Sequence, residues 1–164
     1  MEEVTVRRME AHDLGRVMEI EQVAYTMPWT ESTFRGLLRR SDADLFVAAT
    51  PDGDLAGYAV SWAVLDQGEL GNVAVAPGYR HRGIAHRLLD AVIDRARERR
   101  VRELFLEVRV SNSTARRLYQ SYEFREVGRR RNYYMEPVED ALVMRKDLDV
   151  SQGDTPGPDF SPLN

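Results

Sequence analysis

The segments Asn72-Val-Ala-Val-Ala-Pro77 and Gly78-Tyr-Arg-His-Arg-Gly-Ile-Ala85 follow one another without a break and combine three features. The first is a short apolar run with β-branched residues, which is typical of a strand. The second is a loop that contains arginine and glycine. The third is the start of a helix whose apolar face is predicted to contain Ala85, Leu88, Leu89, Val92, Ile93 and Ala96. We therefore expect a strand, a loop and a helix N-terminus in direct succession.

Such a succession is able to bind an anion, because unpaired backbone N–H groups and the positive end of the helix dipole point at one place. Gly83 would let the backbone approach a phosphate closely, and Arg80 and Arg82 would add charge-assisted hydrogen bonds. A single glycine before a helix is also a common turn residue without any ligand. From these residues alone, both interpretations stay open.

The composition limits the class of protein. The chain has 164 residues, of which 43% are hydrophobic and 30% charged, so we expect one globular domain. It has no cysteine, which excludes disulfides, cysteine-ligated metals and a cysteine nucleophile. The longest apolar run, Leu45–Ala49, is far too short for a membrane span, and the acidic start shows no signal peptide. We expect a cytoplasmic protein that does not bind membranes.

Charge is distributed unevenly along the chain. The formal net charge is −4, yet the stretch from Arg80 to Arg131 holds fifteen arginines and seven acids, which gives +8 there and −12 elsewhere. This division suggests an anionic ligand on one side of the molecule, although solvated helix faces explain it equally well. Lys146 is the only lysine, a bias that phosphate binding or codon usage would both produce.

Periodicity predicts one domain over residues 1–150 and a disordered tail over 151–164, where five residues are Pro or Gly. The predicted order is a strand, two helices, three strands, a long helix, a strand, a short helix and two strands. Asp13 is expected to cap the first helix and Thr30 the second. The segment Asp66-Gln67-Gly68 is predicted as a turn. This order corresponds to an α+β fold with a β-α-β-α second half.

The chain resembles the GNAT family of N-acetyltransferases over residues 4–148. The loop Arg80-x-x-Gly83-x-Ala85 is similar to the coenzyme A loop of that family, in which the last position is Gly or Ala. Within the family, the likeness is strongest to the ribosomal-protein-alanine and archaeal protein N-terminal acetyltransferases. The further matching segments are Pro28-Trp29-Thr-Glu-Ser-Thr-Phe34, Glu107-Val-Arg-Val-Ser-Asn112, Leu118-Tyr119, Arg131-Asn-Tyr-Tyr134 and Glu139-Asp-Ala141.

The resemblance implies a mixed, mostly antiparallel and splayed sheet of about seven strands, with about four helices on its two faces. It places acetyl-CoA between the fourth and fifth strands. The short helix departs from the family pattern, because Tyr122-Glu123-Phe124 replaces the usual Leu-Gly-Phe, so this turn lacks a glycine. The implied cosubstrate-binding residues are Val73, Ala74, Val75, Arg80, His81, Arg82, Gly83, Ile84, Ala85, His86, Asn112 and Tyr119.

Glu107 is the candidate general base. In the predicted strand it shares one face with Phe105 and Arg109, whereas the alternating positions are apolar. A carboxylate in such a strand is either paired with an arginine or catalytic, and spacing alone favours the ion pair. The resemblance favours the base. A peptide α-amine with a pKa of about 7.7–8.0 needs only a modest base.

Tyr119 is the candidate general acid. At its helical spacing an aromatic residue is most often part of the core, whereas the matching tyrosine of the family donates a proton to the coenzyme A thiolate. A phenol near pKa 10 beside a thiol near 8.5 makes that transfer uphill by roughly 2 kcal/mol. Asn112 either caps this helix or bonds the cosubstrate, and the two roles are compatible.

For the reaction itself, we expect direct attack in a ternary complex, with the carbonyl polarised by a backbone N–H at Val75. No cysteine and no Gly-x-Ser-x-Gly motif is present to form an acyl-enzyme. The three histidines lack metal-ligand spacing, so no metal is expected.

The expected acceptor is the N-terminal α-amine of a protein, of the ribosomal-protein-alanine type. In relatives, loops matching those around Trp29 and Tyr133 flank the acceptor, so these are the candidate substrate residues. The alternatives are a small-molecule amine acetyltransferase of the same fold and an inactive coenzyme A-binding module. We expect no direct nucleic-acid binding, and a monomer or weak homodimer.

Overall fold

A computed structural model describes residues 3–148. The predicted tail over 151–164, and the last two residues of the predicted domain, lie outside the described residues. Single 3-10 turns precede α1 and α3, at Ala11–Asp13 and Pro77–Tyr79. The strands and helices are β1 (Thr5–Arg8), α1 (Leu14–Ala24), α2 (Glu31–Leu38), β2 (Ala43–Ala49), β3 (Leu55–Val64), β4 (Gln67–Val75), α3 (Ile84–Glu98), β5 (Glu103–Arg109), α4 (Ser113–Ser121), β6 (Arg125–Tyr134) and β7 (Glu139–Asp147).

All seven strands form one sheet in the order β1-β2-β3-β4-β5-β7-β6. Only β4 and β5 are parallel, and every other neighbouring pair is antiparallel. The parallel pair requires a crossover, which α3 supplies. The predicted mixed, mostly antiparallel sheet is therefore confirmed.

The sheet is covered on both faces because its central strands alternate two sets of apolar side chains. Tyr58 and Val60 of β3 pack into a core with α1 and α2. Ala59, between them, belongs to the opposite core with α3, α4 and the inner face of β5 and β7. The four helices thus lie on two faces, as expected.

The sheet divides between β4 and β5. These strands pair only where residues 67–70 of β4 meet residues 103–106 of β5. Beyond this ladder β4 continues beside β3 to Val75, whereas β5 continues beside β7 to Arg109. The space between the two diverging strands, called the gap below, opens in the middle of the sheet. The predicted splay between the fourth and fifth strands is confirmed.

Gly71 lies where the strands begin to diverge. The pairing of β3 with β4 shifts by one residue there, since Val60 faces Asn72 and Ser61 faces Leu70. This is a β-bulge, which bends a strand locally. A Cβ atom at Gly71 would lie 2.5 Å from a ring atom of Trp62 and 2.9 Å from one of Trp29. Close packing therefore requires glycine at this position.

Two local predictions were wrong. Gln67 and Gly68 belong to β4 rather than to the preceding turn. A Cβ at Gly68 would lie 3.1 Å from the side chains of Leu104 and Val101, so tight packing explains this glycine. Asp13 does not cap α1 with its side chain, because that carboxylate instead pairs with Arg7. Thr30 caps α2 as predicted, accepting a hydrogen bond from the Thr33 N–H.

Candidate active site

The open edge of β4 presents backbone groups to the gap. The Ala76 N–H donates to Ala56 of β3, and antiparallel alternation then directs the N–H and C=O groups of Val73 and Val75 away from β3. The Tyr25 hydroxyl bonds both groups of Val73, donating to its carbonyl at 3.0 Å and accepting from its N–H at 3.3 Å. The gap therefore contains donors suited to a carbonyl-bearing ligand.

The loop after β4 has the geometry of an anion site. Gly83 adopts a left-handed conformation, with φ 76°, immediately before α3, and no side chain caps that helix. Because the first-turn N–H groups of a helix lack partners within the helix, they are available to a ligand. Beside this loop lies a cavity of about 520 Å³, lined in part by Tyr79, Arg82, Ile84 and Arg87.

The arginines of the basic stretch fall into two groups. Arg95 and Arg99 of α3 pair with the buried Asp44 carboxylate of β2, so their charges neutralise that carboxylate and hold α3 against β2. Over the described range 3–148, by contrast, Arg80, Arg82 and Arg87 form no ion pair. These three arginines surround the start of α3 and leave that end of the gap electropositive.

Glu107 lies near the middle of β5, beyond the ladder with β4. Its Oε1 is 3.1 Å from Nε of Arg130, and its side chain is 23% exposed. A hydrogen bond to Glu107 is the main cause that raises the pKa of the Tyr133 phenol, and burial raises it by a smaller amount. The ion pair expected from spacing is thus present, and the carboxylate stays accessible to a ligand.

Tyr119 projects from α4 into the core, where its ring packs edge-on against Phe124. Burial raises the pKa of its phenol to about 12, so the hydroxyl stays protonated at neutral pH. Among the described residues, no partner hydrogen-bonds to this hydroxyl, which leaves it available as a donor. Asn112 caps α4 by accepting from the Ala115 N–H at 3.1 Å.

Electrostatic effects link the pKa values of several of these groups. Burial raises the pKa of Tyr134, and the charge of Glu107 raises it further, with a smaller contribution from Tyr119. Burial likewise raises the pKa of Tyr25, and the next largest cause is Tyr119. Tyr25, Tyr119, Tyr134 and Glu107 are therefore near enough to influence one another, and the Tyr25 hydroxyl bonds Val73 at the gap.

The two candidate acceptor residues differ in their surroundings. Tyr133, at the end of β6, is 47% exposed and lies across the ring of Tyr134. Trp29 is half-buried and packs against Phe34 and Trp62, so most of its contacts are with the protein itself. Tyr133 is thus accessible to a ligand, whereas Trp29 mainly supports the loop between α1 and α2.

Sequence reasoning missed Glu21, which is completely buried at the end of α1. Its carboxylate accepts hydrogen bonds from the Trp29 N–H, the Asn72 amide and the Tyr58 hydroxyl. Burial raises the pKa of Glu21, and the first two of these bonds lower it. Glu21 lies four residues after the buried Val17 and seven after the buried Leu14. An acid at this helical spacing from apolar residues was the signal that could have identified this anchor.

Arg109 was also missed as a positioning residue. Its guanidinium donates to Thr26 Oγ1 in the α1–α2 loop and to the carbonyls of Met135 and Pro137 in the β6–β7 loop. It also lies 4.5 Å from the centroid of the Tyr134 ring. Arg109 therefore connects the two loops that border the gap.

Replacing Arg109 by lysine is expected to loosen both loops, because an ammonium cannot reproduce the forked hydrogen bonds of the guanidinium. Loss of one or two charge-assisted bonds, about 1.5–3 kcal/mol each, would speed local amide exchange about tenfold or more. Hydrogen–deuterium exchange over residues 132–138 measures this effect. Arg131→Lys is the control, since Arg131 forms no ion pair with any described residue. Equal exchange in the two variants would contradict the role of Arg109.

Residues 3–148 contain no group of three or more side chains arranged to hold a metal ion. Within the same range, no helix has the length and apolarity needed to cross a membrane.

The gap in the sheet and the uncapped start of α3, with three arginines that form no ion pair among residues 3–148, are suited to an anionic ligand. Residues 14–124 match the acetyltransferase (GNAT) family, and the chain belongs to that family. It is therefore an acetyltransferase, as the sequence predicted.

The chain is similar to named members of the family. It is 39% identical over 142 residues to the [ribosomal protein bS18]-alanine N-acetyltransferase of Escherichia coli K12, covering 85% of this chain and 95% of that one. The crystal structure of the E. coli ribosomal-protein-S18-alanine N-acetyltransferase superposes with a TM-score of 0.82 at 36% identity, over 93% and 98% of the two chains. Ard1 of Thermoplasma volcanium superposes with a TM-score of 0.83 at 26% identity, over 89% and 98%.

Proposed function

We propose that this protein transfers the acetyl group of acetyl-CoA to the N-terminal α-amine of a protein, of the ribosomal protein bS18 type. The observation that supports the proposal is that Glu107 lies on β5 beyond the pairing of that strand with β4, beside two loops that Arg109 connects. The names of relatives at 36–39% identity agree with this acceptor.

The gap fits acetyl-CoA by its own features. The N–H and C=O groups of Val75, which face the gap, suit the amides of a pantetheine arm, and the free N–H groups at the start of α3 suit a pyrophosphate. Arg80, Arg82 and the backbone from His81 to His86 would hold the phosphates. Val73 to Val75 would hold the arm, which would replace the Tyr25 hydroxyl at Val73. Acetyl-CoA supplies the acetyl group as a thioester when bound.

Glu107 acts as the base in this proposal. Its carboxylate removes a proton from the acceptor ammonium and leaves the neutral amine that attacks. The Val75 N–H, which faces the gap, donates to the carbonyl oxygen as negative charge develops on it. Tyr119 gives its proton to the leaving sulfur, so the product is the thiol. The nitrogen loses its second proton as the amide forms, and this proton restores the Tyr119 phenol, while the first proton passes from Glu107 to solvent.

Tyr133 and the α1–α2 loop border the acceptor side. An exposed phenol that also bonds Glu107 is suited to orient a peptide backbone next to the base. Trp29 contributes by packing beneath this loop.

A panel of peptides incubated with acetyl-CoA and analysed by mass spectrometry tests the proposal. We expect acetylation of the α-amine of a peptide that begins with the bS18 N-terminal sequence, and none of an internal lysine in the same peptide. Acetylation of lysine side chains alone would overturn the proposal. A small amine with a much higher kcat/KM than any peptide would replace it with the small-molecule alternative. Binding of acetyl-CoA without turnover on any amine would indicate an inactive module.

A further inference from the structure

Arg130 forms an ion pair with Glu107, the carboxylate that the proposed reaction needs. Its Nε is 3.1 Å from Glu107 Oε1, although the two residues lie two strands apart, on β6 and β5. The acceptor enters as an ammonium ion and must reach the same carboxylate to lose its proton. Two cations therefore compete for one carboxylate.

Ala141 on the intervening strand β7 and Gly128 on β6 leave room for this contact. Arg130 faces the buried Ala141 of β7, which in turn faces Arg109. Two residues along the strands, Gly128 of β6 pairs with Val143 of β7, which pairs with Glu107 of β5. Gly128 has no side chain between Arg130 and Glu107. The long arginine side chain thus crosses β7 along the face of the sheet that carries Glu107.

Arg130 is able to leave without disturbing the core. Its side chain is 58% exposed, and it belongs to β6, the outermost strand on this side of the sheet. An alternative contact is already adjacent, because the guanidinium carbon lies 5.5 Å from the centroid of the Tyr133 ring. Moving from the carboxylate toward that ring or into water costs little packing.

We propose that Arg130 is a resident counter-ion of Glu107, which the ammonium of the acceptor displaces when it binds. This inference rests on the proposed function, because it takes Glu107 as the group that receives the acceptor amine. Arg130 then lowers the affinity for the acceptor and favours a cationic amine over neutral nucleophiles, since only a cation replaces the lost ion pair.

Kinetics with the variant Arg130→Met provide the first test. Methionine keeps much of the side-chain length and removes the charge, so KM for an alanine-starting acceptor peptide is expected to fall about two- to fivefold, the range for a partly exposed ion pair. Arg129→Met is the control, because Arg129 lies on the opposite face of the sheet from Arg130 and pairs with Glu126 and Asp140. A higher KM in Arg130→Met, or equal KM values in the two variants, would overturn the proposal.

Nitrogen-15 NMR of the arginine Nε–H groups provides the second test, with CoA present so that no acetyl transfer occurs. The Arg130 signal is identified by its loss in Arg130→Met. Alaninamide, which carries the α-ammonium, is expected to shift this signal, whereas N-acetylalaninamide is not. A signal that alaninamide leaves in place, or that both compounds shift equally, would contradict displacement. If the wild-type protein acetylates no peptide α-amine, the proposed function fails, and this experiment still decides whether an ammonium displaces Arg130.

Discussion

Replacing Glu107 by glutamine is expected to lower kcat for peptide acetylation about a hundredfold or more, the usual contribution of a general base. Glutamine preserves the shape of the side chain but cannot accept the proton of the acceptor ammonium. The loss should be greatest at low pH, where most of the α-amine is protonated, and smaller above a pH of about 8, where the free amine predominates. Initial rates with the bS18-type peptide between pH 6 and 9 measure this dependence.

The matched control is Glu103→Gln, because Glu103 lies on the same strand and the same face as Glu107 but at the paired end of β5. Its activity should stay close to that of the wild type. A Glu107→Gln profile parallel to the wild-type profile would show that another group or water takes the proton.

Replacing Tyr119 by phenylalanine is expected to lower kcat by a similar factor, with a much smaller change in KM for acetyl-CoA. The phenol has a pKa of about 12 and stays protonated up to strongly alkaline pH. Ionisation of Tyr119 should therefore cause no loss of wild-type rate at any pH up to about 10. Against a thiol of pKa about 8.5, full proton transfer is uphill by about 5 kcal/mol. We therefore expect the phenol to hydrogen-bond the leaving sulfur first and to transfer its proton as the carbon–sulfur bond breaks.

An acetyl thioester of a more acidic aromatic thiol separates this role from a structural one, because its leaving group needs no proton. The defect of Tyr119→Phe should shrink with that substrate. Tyr122→Phe is the comparison on the same helix end, where the hydroxyl bonds the His86 carbonyl and Asp90. Its effect should fall on KM for acetyl-CoA and not on the dependence of the rate on the leaving group. Equal defects with both thioesters would indicate that the Tyr119 hydroxyl acts only in packing.

The sequence predicted most of the fold because its strongest signals were local. The strand, glycine loop and amphipathic helix around Gly83 depend on residues close together in the chain, and the structure has them as predicted. The left-handed Glu123, with φ 66°, likewise makes the turn after α4 that lacks a glycine. The missed features depend on contacts between distant segments.

Gly68 illustrates the difference. Packing against Leu104 requires a glycine there, but the sequence alone does not distinguish such a glycine from one in a turn. The same holds at the site. Spacing predicted an ion pair for Glu107 but not that the partner would come from β6, two strands away. Arg109 and Glu21 were missed because they connect segments that are distant in the sequence, and the spacing of apolar residues does not indicate such contacts.

The division of the sheet has a second consequence, for solubility. A sheet interrupted at its centre has two inner strand borders in addition to its outer ones, and exposed borders invite strand addition by other chains. Proteins often protect such borders with lysine or proline, neither of which occurs in β4. Here the Tyr25 hydroxyl bonds both backbone groups of Val73 and so shortens the part of the β4 border that can pair with another chain. One phenol thus reduces strand addition at the gap without adding a charge there.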